Sequence, residues 1–371
     1  MVIPDRVLDP GWVEVVGDRL VAVGEGAPAR PADVELRGRV LVPGFVDLHV
    51  HGGGGGSYTT GDEREAAGVV DFHRRHGTTT TMASLVTAEP AELERVVAAL
   101  ADLVTDGLLA GVHLEGPWLN PRQRGAHDPG LLRDPARSEV ERLLRLGRGT
   151  VRMVTLAPEL AGGLAAVSWI VEAGAVAALG HTDATYAVTR EALDAGATVG
   201  THLFNAMRPV HHREPGPAVA LLDDPRATVE VIADGVHVHP AMLRRAVTTK
   251  GAGRVALVTD AMAAAGMADG DYQLGGLRVQ VLDGVARLAE GGALAGSTLT
   301  MDAAFRGAVQ ESGLPLEEAA RLASTTPAGV LGLPDVGAIE VGKRADLVVL
   351  DQDLQVTGVM AAGAWVEDAG T

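Results

Sequence analysis

The stretch PGFVDLHVHG (43–52) ends a short apolar run on two histidines one residue apart. Side chains alternate along a strand, so His49 and His51 share one face. Counting that first run as Phe45–Val50, seven more follow: Thr78–Ser84, Leu109–Leu114, Val151–Leu156, Val176–Leu179, Thr198–Thr201, Thr228–Ile232 and Val255–Thr259. Between them lie amphipathic stretches long enough for helices, among them Glu63–His76, Ala91–Thr105, Glu139–Leu146 and Thr185–Ala195. Gly77 and Gly196 stand where helices end on a left-handed residue. Eight buried strands alternating with helices predict an α/β fold, a (β/α)8 TIM-like barrel. A doubly wound open sheet has the same periodicity, so the placement of polar residues must weigh between the two.

Upstream of residue 45 the pattern is different. Trp12–Val16, Arg19–Val23, Val34–Leu36 and Val40–Val42 read as short strands, with a hairpin turn at Gly17-Asp18. Residues 271–295 hold another hairpin around Asp283-Gly284, and Leu299–Ser312 and Leu316–Ala323 read as helices. Strand character returns in GAIEVGKRADLVVLD (337–351) and continues over Gln355–Glu367. The expected division is a small β-sandwich domain from both ends of the chain, 1–44 plus 335–371, around a catalytic barrel over 45–334.

The 371 residues are 47% hydrophobic and 21% charged, which excludes disorder, collagen and coiled coil. Aromatics are only 3% against 48 glycines, so aliphatic side chains must build the core, as in parallel α/β folds. A net charge of −17 repels nucleic acid and anionic lipid; neither is an expected partner. An anionic ligand would need a local basic enclave. With no cysteine, disulfides, thiolate metal sites and cysteine nucleophiles are excluded together. MVIPDRVLDPGW (1–12) has no basic segment followed by an apolar one, and no run reaches the roughly 18 apolar residues of a membrane span. A cytoplasmic protein is expected.

Polar residues collect just past the C-terminal ends of the expected strands. His49 and His51 close the first, Glu115 follows the third, His181 the fifth, His202 the sixth and Asp260 the eighth. In a barrel these positions face the rim where active sites form. Imidazole and carboxylate donors suit a divalent ion, zinc first, with iron, cobalt or manganese as alternatives. Six ligands exceed what one tetrahedral ion needs; two ions about 3.5–4 Å apart, bridged by a carboxylate, would use them all. The other histidines (His73, His76, His113, His211, His212 and His239) read as structural or surface residues.

These residues carry a family resemblance. PGFVDLHVHG resembles the opening signature of the amidohydrolase superfamily, and GAIEVGKRADLVVLD its closing β segment. HLEGPWLN (113–120), GHTDATY (180–186), THLFNAMRP (201–209), REPG (213–216), DGVHVHP (234–240) and VTDAM (258–262) resemble the family of N-acetylglucosamine-6-phosphate deacetylases. Hydantoinases and dihydroorotases of the superfamily bridge their metals with a carboxylated lysine after strand four. This chain has only Lys250 and Lys343, neither near that place, so the bridging anion must come from elsewhere.

The resemblance implies one or two divalent ions per subunit. Glu115, His181 and His202 would hold the principal one, and His49, His51, Glu115 and Asp260 the second. Asp260 would take a proton from water and return it to the leaving amine; a helix N-cap after strand eight is its weaker, structural alternative. His127 would stabilise the carbonyl oxygen. Asn205, the N–H of Ala206, Arg213 and His237 would bind the phosphate of the sugar, Arg213 reaching in from a neighbouring subunit and so implying a homodimer. A surface ion pair with Glu214 is the plainer reading of Arg213. Met301, in LAGSTLTM (294–301), matches a segment lining the sugar pocket, with core packing as its plainer reading. The run Gly52–Gly56 lacks the Gly-Lys-Ser/Thr ending of a phosphate loop. The implied activity is removal of acetate from N-acetylglucosamine 6-phosphate, in amino-sugar catabolism or cell-wall recycling. A galactosamine-epimer deacetylase and an inactive binding protein are the rivals.

Overall fold

A computed structural model describes residues 1–367 of the chain. Among the described residues, eight of the strands form one sheet whose spatial order follows the chain. They are β1 (Phe45–Asp47), β2 (Thr78–Leu85), β3 (Gly111–Glu115), β4 (Val151–Leu156), β5 (Val176–Leu179), β6 (Val199–Gly200), β7 (Thr228–Ile232) and β8 (Val255–Val258). Every neighbouring pair from β1 to β8 is parallel. Closure comes just beyond the strand ends. The Asp260 N–H donates to the His49 carbonyl at 2.8 Å, and the His51 N–H to the Ala261 carbonyl at 2.8 Å. A barrel therefore replaces the open-sheet alternative, and its seam joins two segments some 210 residues apart.

Each strand is followed by a helix: α1 (Glu63–Arg75), α2 (Pro90–Thr105), α3 (Arg137–Leu146), α4 (Gly163–Glu172), α5 (Tyr186–Asp194), α6 (Gly216–Asp223), α7 (Pro240–Lys250) and, after an inserted antiparallel sheet, α8 (Met301–Gln310). Asp62 caps α1 by accepting the Glu65 N–H at 2.9 Å, and Thr185 caps α5 by accepting that of Val188 at 3.2 Å. The insert comprises Gly270–Leu274, Leu277–Leu282 and Val285–Leu288, turning at Asp283-Gly284. Val279, Val281 and Ala286 seat it against Val86 and Met262 beside the barrel mouth.

Barrel interiors are usually filled by branched aliphatics. Here the layer beneath the mouth is polar: Asp47, Ser84, His113, Thr155, Thr201 and Glu230 are all buried. Four of them form a chain of contacts, while Asp47 accepts the Thr259 hydroxyl at 2.6 Å and Glu230 Oε1 stays unpartnered. Ser84 Oγ accepts the Val50 N–H at 3.0 Å and lies 3.0 Å from His113 Nδ1; His113 Nε2 meets Thr155 Oγ1 at 2.8 Å, which meets Thr201 Oγ1 at 2.8 Å.

Strands from both ends of the chain meet in a second sheet. Val40–Pro43 pairs with Leu347–Leu350, which pairs with Val356–Ala361 and through it with Ala364–Trp365. Alternation divides this sheet between two cores: Val42, Val348 and Leu350 pack with the barrel, whereas Leu41, Leu347 and Val349 pack with Leu20 of the hairpin Gly11–Val16/Arg19–Glu25. Val34–Leu36 is not a strand. Val34 is 53% exposed between Asp33 and Glu35, with no strand beside it to pair with. In 337–351 only Leu347–Leu350 is extended, because Gly337 and Gly342 take left-handed turns. The helix expected over Leu316–Ala323 stops at Ala320 and continues as a π turn, Arg321–Thr325, then as Thr326–Val330. Residues 368–371 of the expected terminal domain lie outside the described residues. No helix among the described residues is long and apolar enough to cross a membrane.

Gly44 is the hinge between the two sheets. Its N–H donates to the Asp346 carbonyl at 2.9 Å, and a Cβ there would stand 2.8 Å from Asp346 Cβ and closer still to Thr79. Gly44→Ala is expected to cost about 1–3 kcal/mol as an overpacked site, read as a lower melting temperature. An unchanged melting temperature would mean the junction has slack that the packing does not indicate.

Candidate metal centre and active site

The barrel mouth brings together all six strand-end residues, buried. His49, His51 and Asp260 form one cluster and Glu115, His181 and His202 another, the ligand atoms of each lying within 4.8 Å of one another. Glu115 stands between them. Its Oε1 is 3.0 Å from Nε2 of both His181 and His202; its Oε2 is 3.2 Å from His51 Nε2 and 3.5 Å from His49 Nε2. Asp260 Oδ1 lies 3.2 Å from His51 Nε2 and 3.4 Å from His49 Nε2.

Hydrogen bonds on the far side of three of the four rings fix which nitrogen points inward; His202 Nδ1 is buried with no such partner. His51 Nδ1 donates to the Ser84 carbonyl at 3.1 Å, His181 Nδ1 to the Gln123 carbonyl at 2.8 Å, and His49 Nδ1 to Glu230 Oε2 at 3.2 Å. All three therefore present an Nε2 lone pair to the centre. Yet His49 and His51 Nε2 are 3.1 Å apart, and His181 and His202 Nε2 are 3.0 Å apart. Lone pairs and carboxylate oxygens converging at this distance repel unless a cation lies among them. The donor set fits a divalent ion, with oxygen and imidazole nitrogen only.

The electrostatics agree. Burial alone would raise the Glu115 and Asp260 carboxyls, but the surrounding histidines outweigh it and hold both well below the usual carboxylate range. Burial keeps the His181 imidazole neutral, lowering it to about 4. At His51 the opposite holds: burial is overcome by Asp260 and Glu115, which lift it to about 9, and His49 is lifted likewise. A field that raises proton affinity at Nε2 also draws a metal cation to the same lone pairs.

Three of the six, His181, His202 and Asp260, take left-handed backbone, with φ of 47°, 28° and 50°. Each sits just past a strand end, where this turn swings the side chain back over the barrel.

A cavity of about 320 Å³ opens above the cluster. His127, Asn205, Ala206 and His237 line it with the clustered residues, and Leu274 and Leu294 form the wall on the side of the insert. His127 Nδ1 accepts the Thr87 backbone N–H at 3.3 Å and lies 2.9 Å from the Thr87 hydroxyl, so the ring proton sits on Nε2, 3.5 Å from Glu115 Oε2. His237 Nδ1 lies 2.6 Å from Asp234 Oδ2, which fixes that ring and leaves Nε2 free. Ser297 and Thr298 line an adjoining cavity that shares His237 and Gly296.

Two expected binding residues lie elsewhere. Met301 is fully buried in the hydrophobic core at the start of α8 and does not reach the cavity; that corrects its assignment to the sugar pocket. Arg213 is exposed and off the cavity of its own chain; its Nη1 is 2.9 Å from His212 Nε2. The ion pair with Glu214 is not formed either, since Glu214 instead accepts the Tyr186 and Gly216 N–H groups.

Glu230 was not foreseen. It is fully buried on β7, and its Oε2 accepts both His49 Nδ1–H and the His202 backbone N–H at 3.2 Å. One carboxylate thus steadies a residue from each cluster, the arrangement by which outer carboxylates orient metal-binding histidines. Asp234, Thr87 and Ser84 do similar work for His237, His127 and His51. Glu230→Gln is expected to weaken metal retention about 10–100-fold, read as metal content after dialysis against graded chelator. Retention equal to that of the unaltered protein would remove Glu230 from the centre's support.

The sequence matches the amidohydrolase family over residues 40–366. A solved N-acetyl-D-glucosamine-6-phosphate deacetylase from Mycobacterium smegmatis, an aspartate-to-alanine variant in complex with N-acetyl-D-glucosamine-6-phosphate, is 56% identical. It superposes with a TM-score of 0.97, over 98% of this chain and 97% of that one. An N-acetylgalactosamine-6-phosphate deacetylase of Escherichia coli O157:H7 is 38% identical over 96% of each chain. An N-acetylglucosamine-6-phosphate deacetylase of Vibrio furnissii is 38% identical over 89% of this chain and 84% of its own. With its barrel, its paired clusters and a match across nearly its whole length, the chain belongs to the amidohydrolase family.

Proposed function

We propose that this protein hydrolyses the N-acetyl group of N-acetylglucosamine 6-phosphate, releasing glucosamine 6-phosphate and acetate. The observation that carries the reading is the position of Glu115, one carboxylate oxygen toward each histidine pair, beneath a cavity that holds His127 and His237. A divalent ion held there, zinc by preference, would supply Lewis acidity and lower the pKa of water toward neutral pH. His49, His51, Glu115, His181, His202 and Asp260 are the residues to hold one or two such ions.

The chain's own groups do the rest. Asp260, ionised and 7% exposed, accepts a proton from the attacking water at its carboxylate oxygen. The His127 Nε2–H donates to the acetyl oxygen as charge gathers there; one such donor contributes about 3 kcal/mol. When the C–N bond breaks, Asp260 returns its proton to the nitrogen, which leaves as an amine rather than an amide anion. His237, Asn205 and the Ala206 N–H bind the phosphate. Arg213 lies off its own cavity, which supports its service to a neighbour's site in a cytoplasmic homodimer. The barrel over 45–334 is the catalytic unit, with the β domain from both termini as its accessory. A galactosamine 6-phosphate substrate is a second reading, favoured by the similarity to the Escherichia coli enzyme.

Acetate release should be far faster from N-acetylglucosamine 6-phosphate than from the unphosphorylated sugar. The same assay with the galactosamine epimer decides between the two readings. Asp260→Asn should lose about 10²–10⁴-fold in turnover while folding normally; undiminished hydrolysis would sink the proton shuttle. Mixing Arg213→Ala with Asp260→Asn chains should restore activity that neither variant has, because a mixed dimer contains one complete site. If mixing restores nothing, Arg213 does not act across subunits.

A further inference from the structure

The catalytic cavity lies at the C-terminal ends of the strands. At the opposite face a second cavity, about 400 Å³, sits against the N-terminal ends of β6, β7 and β8. Thr228 opens β7 and Arg254 immediately precedes β8; Arg226, Arg321, Gly253 and Gly329 also line the space. Three guanidinium groups on one small wall are unexpected in a chain of net charge −17.

They are not equivalent. Arg226 is clamped by Asp224, with Nε 2.9 Å from Oδ1 and Nη2 2.6 Å from Oδ2, and by Asp194 at 2.7 Å. Its charge is already offset. Arg254 and Arg321 have no carboxylate partner among the described residues. Arg254 Nη1 touches only the Arg226 carbonyl, at 3.4 Å, and Arg321 Nη2 holds the Pro4 carbonyl. Each guanidinium carries five N–H donors, so most remain unused. Like charges sharing a cavity wall repel, and an anion between them removes that cost.

The backbone leaves room for a ligand beside them. Arg321 begins the π turn Arg321–Thr325, and single π turns within helical runs recur at functional positions. Gly253 and Gly329 have nothing within 4 Å of where a Cβ would stand, so an oxyanion can approach the main chain on either side. A guanidinium fork pairs two oxygens of a phosphate at once, and two unpaired forks match a dianion better than a carboxylate.

We propose that the N-terminal face of the barrel carries a second anion site, in which Arg254 and Arg321 bind a small phosphate dianion, free or as a phosphomonoester. It is separated from the catalytic cavity by the length of the barrel strands. It stands independently of the activity proposed above.

The test is calorimetric titration of the full-length, metal-loaded protein with inorganic phosphate, then with glucosamine 6-phosphate. His237→Asn weakens phosphate binding at the catalytic mouth, and dependence on Arg254 then marks the new site. In that background phosphate should still bind and raise the melting temperature, and adding Arg254→Glu should weaken it about tenfold or more. Arg254→Glu alone should leave acetate release unchanged in phosphate-free buffer. Arg321→Gln is the second variant, its fold checked by melting without phosphate. Binding of the sugar phosphate at the Arg254-dependent site assigns phosphomonoesters; binding of inorganic phosphate alone assigns the free ion. Phosphate affinity in the His237→Asn background that is indifferent to Arg254→Glu overturns the proposal.

Discussion

Four imidazole nitrogens and two carboxylates face one another across 3.0–3.5 Å at the mouth of the barrel, with Glu115 in the middle. The barrel seam and a set of hydrogen bonds hold that arrangement against its own repulsion. The barrel seam between β1 and β8 sets Asp260 beside His49 and His51, although the chain separates them by two hundred residues. Rings that could otherwise flip are pinned from behind by the Ser84 and Gln123 carbonyls and by Glu230. The price is a polar layer where a barrel ordinarily keeps its aliphatic filling, and the chain of contacts from Ser84 through His113 to Thr155 and Thr201 satisfies part of it, while Glu230 Oε1 stays buried without a partner.

Much of this was legible in the sequence because the two periodicities are strong. Each expected barrel strand is present within a few residues, and the helices of β1 and β5 end where Gly77 and Gly196 announced them. The six clustered residues could be found because all lie at or just past a strand end, a position that depends only on local pattern. Residues that act from within a strand could not. Glu230 in TVEVI (228–232) reads as the solvent side of an alternating strand, and only closure of the sheet turns that side into the interior. Val34–Leu36 failed for the converse reason: local β character without a neighbouring strand does not make a ladder.

Met301 shows a different limit. It is placed by resemblance of a segment, which says that a stretch of chain is alike and not which way each side chain turns. The helix start at Thr300 turns Met301 into the core, while the turn at His211–Glu214 leaves Arg213 in solvent.

The left-handed backbone at His181, His202 and Asp260 bears on how this protein can change. Glycine is the residue that such torsions favour, and a side chain there costs of order 1 kcal/mol or more. At these three positions conformational preference and chemistry therefore pull in opposite directions. Selection for thermal robustness alone, in a laboratory lineage or a metal-poor niche, would drift toward glycine at them and erase the centre while leaving the barrel intact. Histidine and aspartate at these positions give up some backbone ease for the donors that the centre requires.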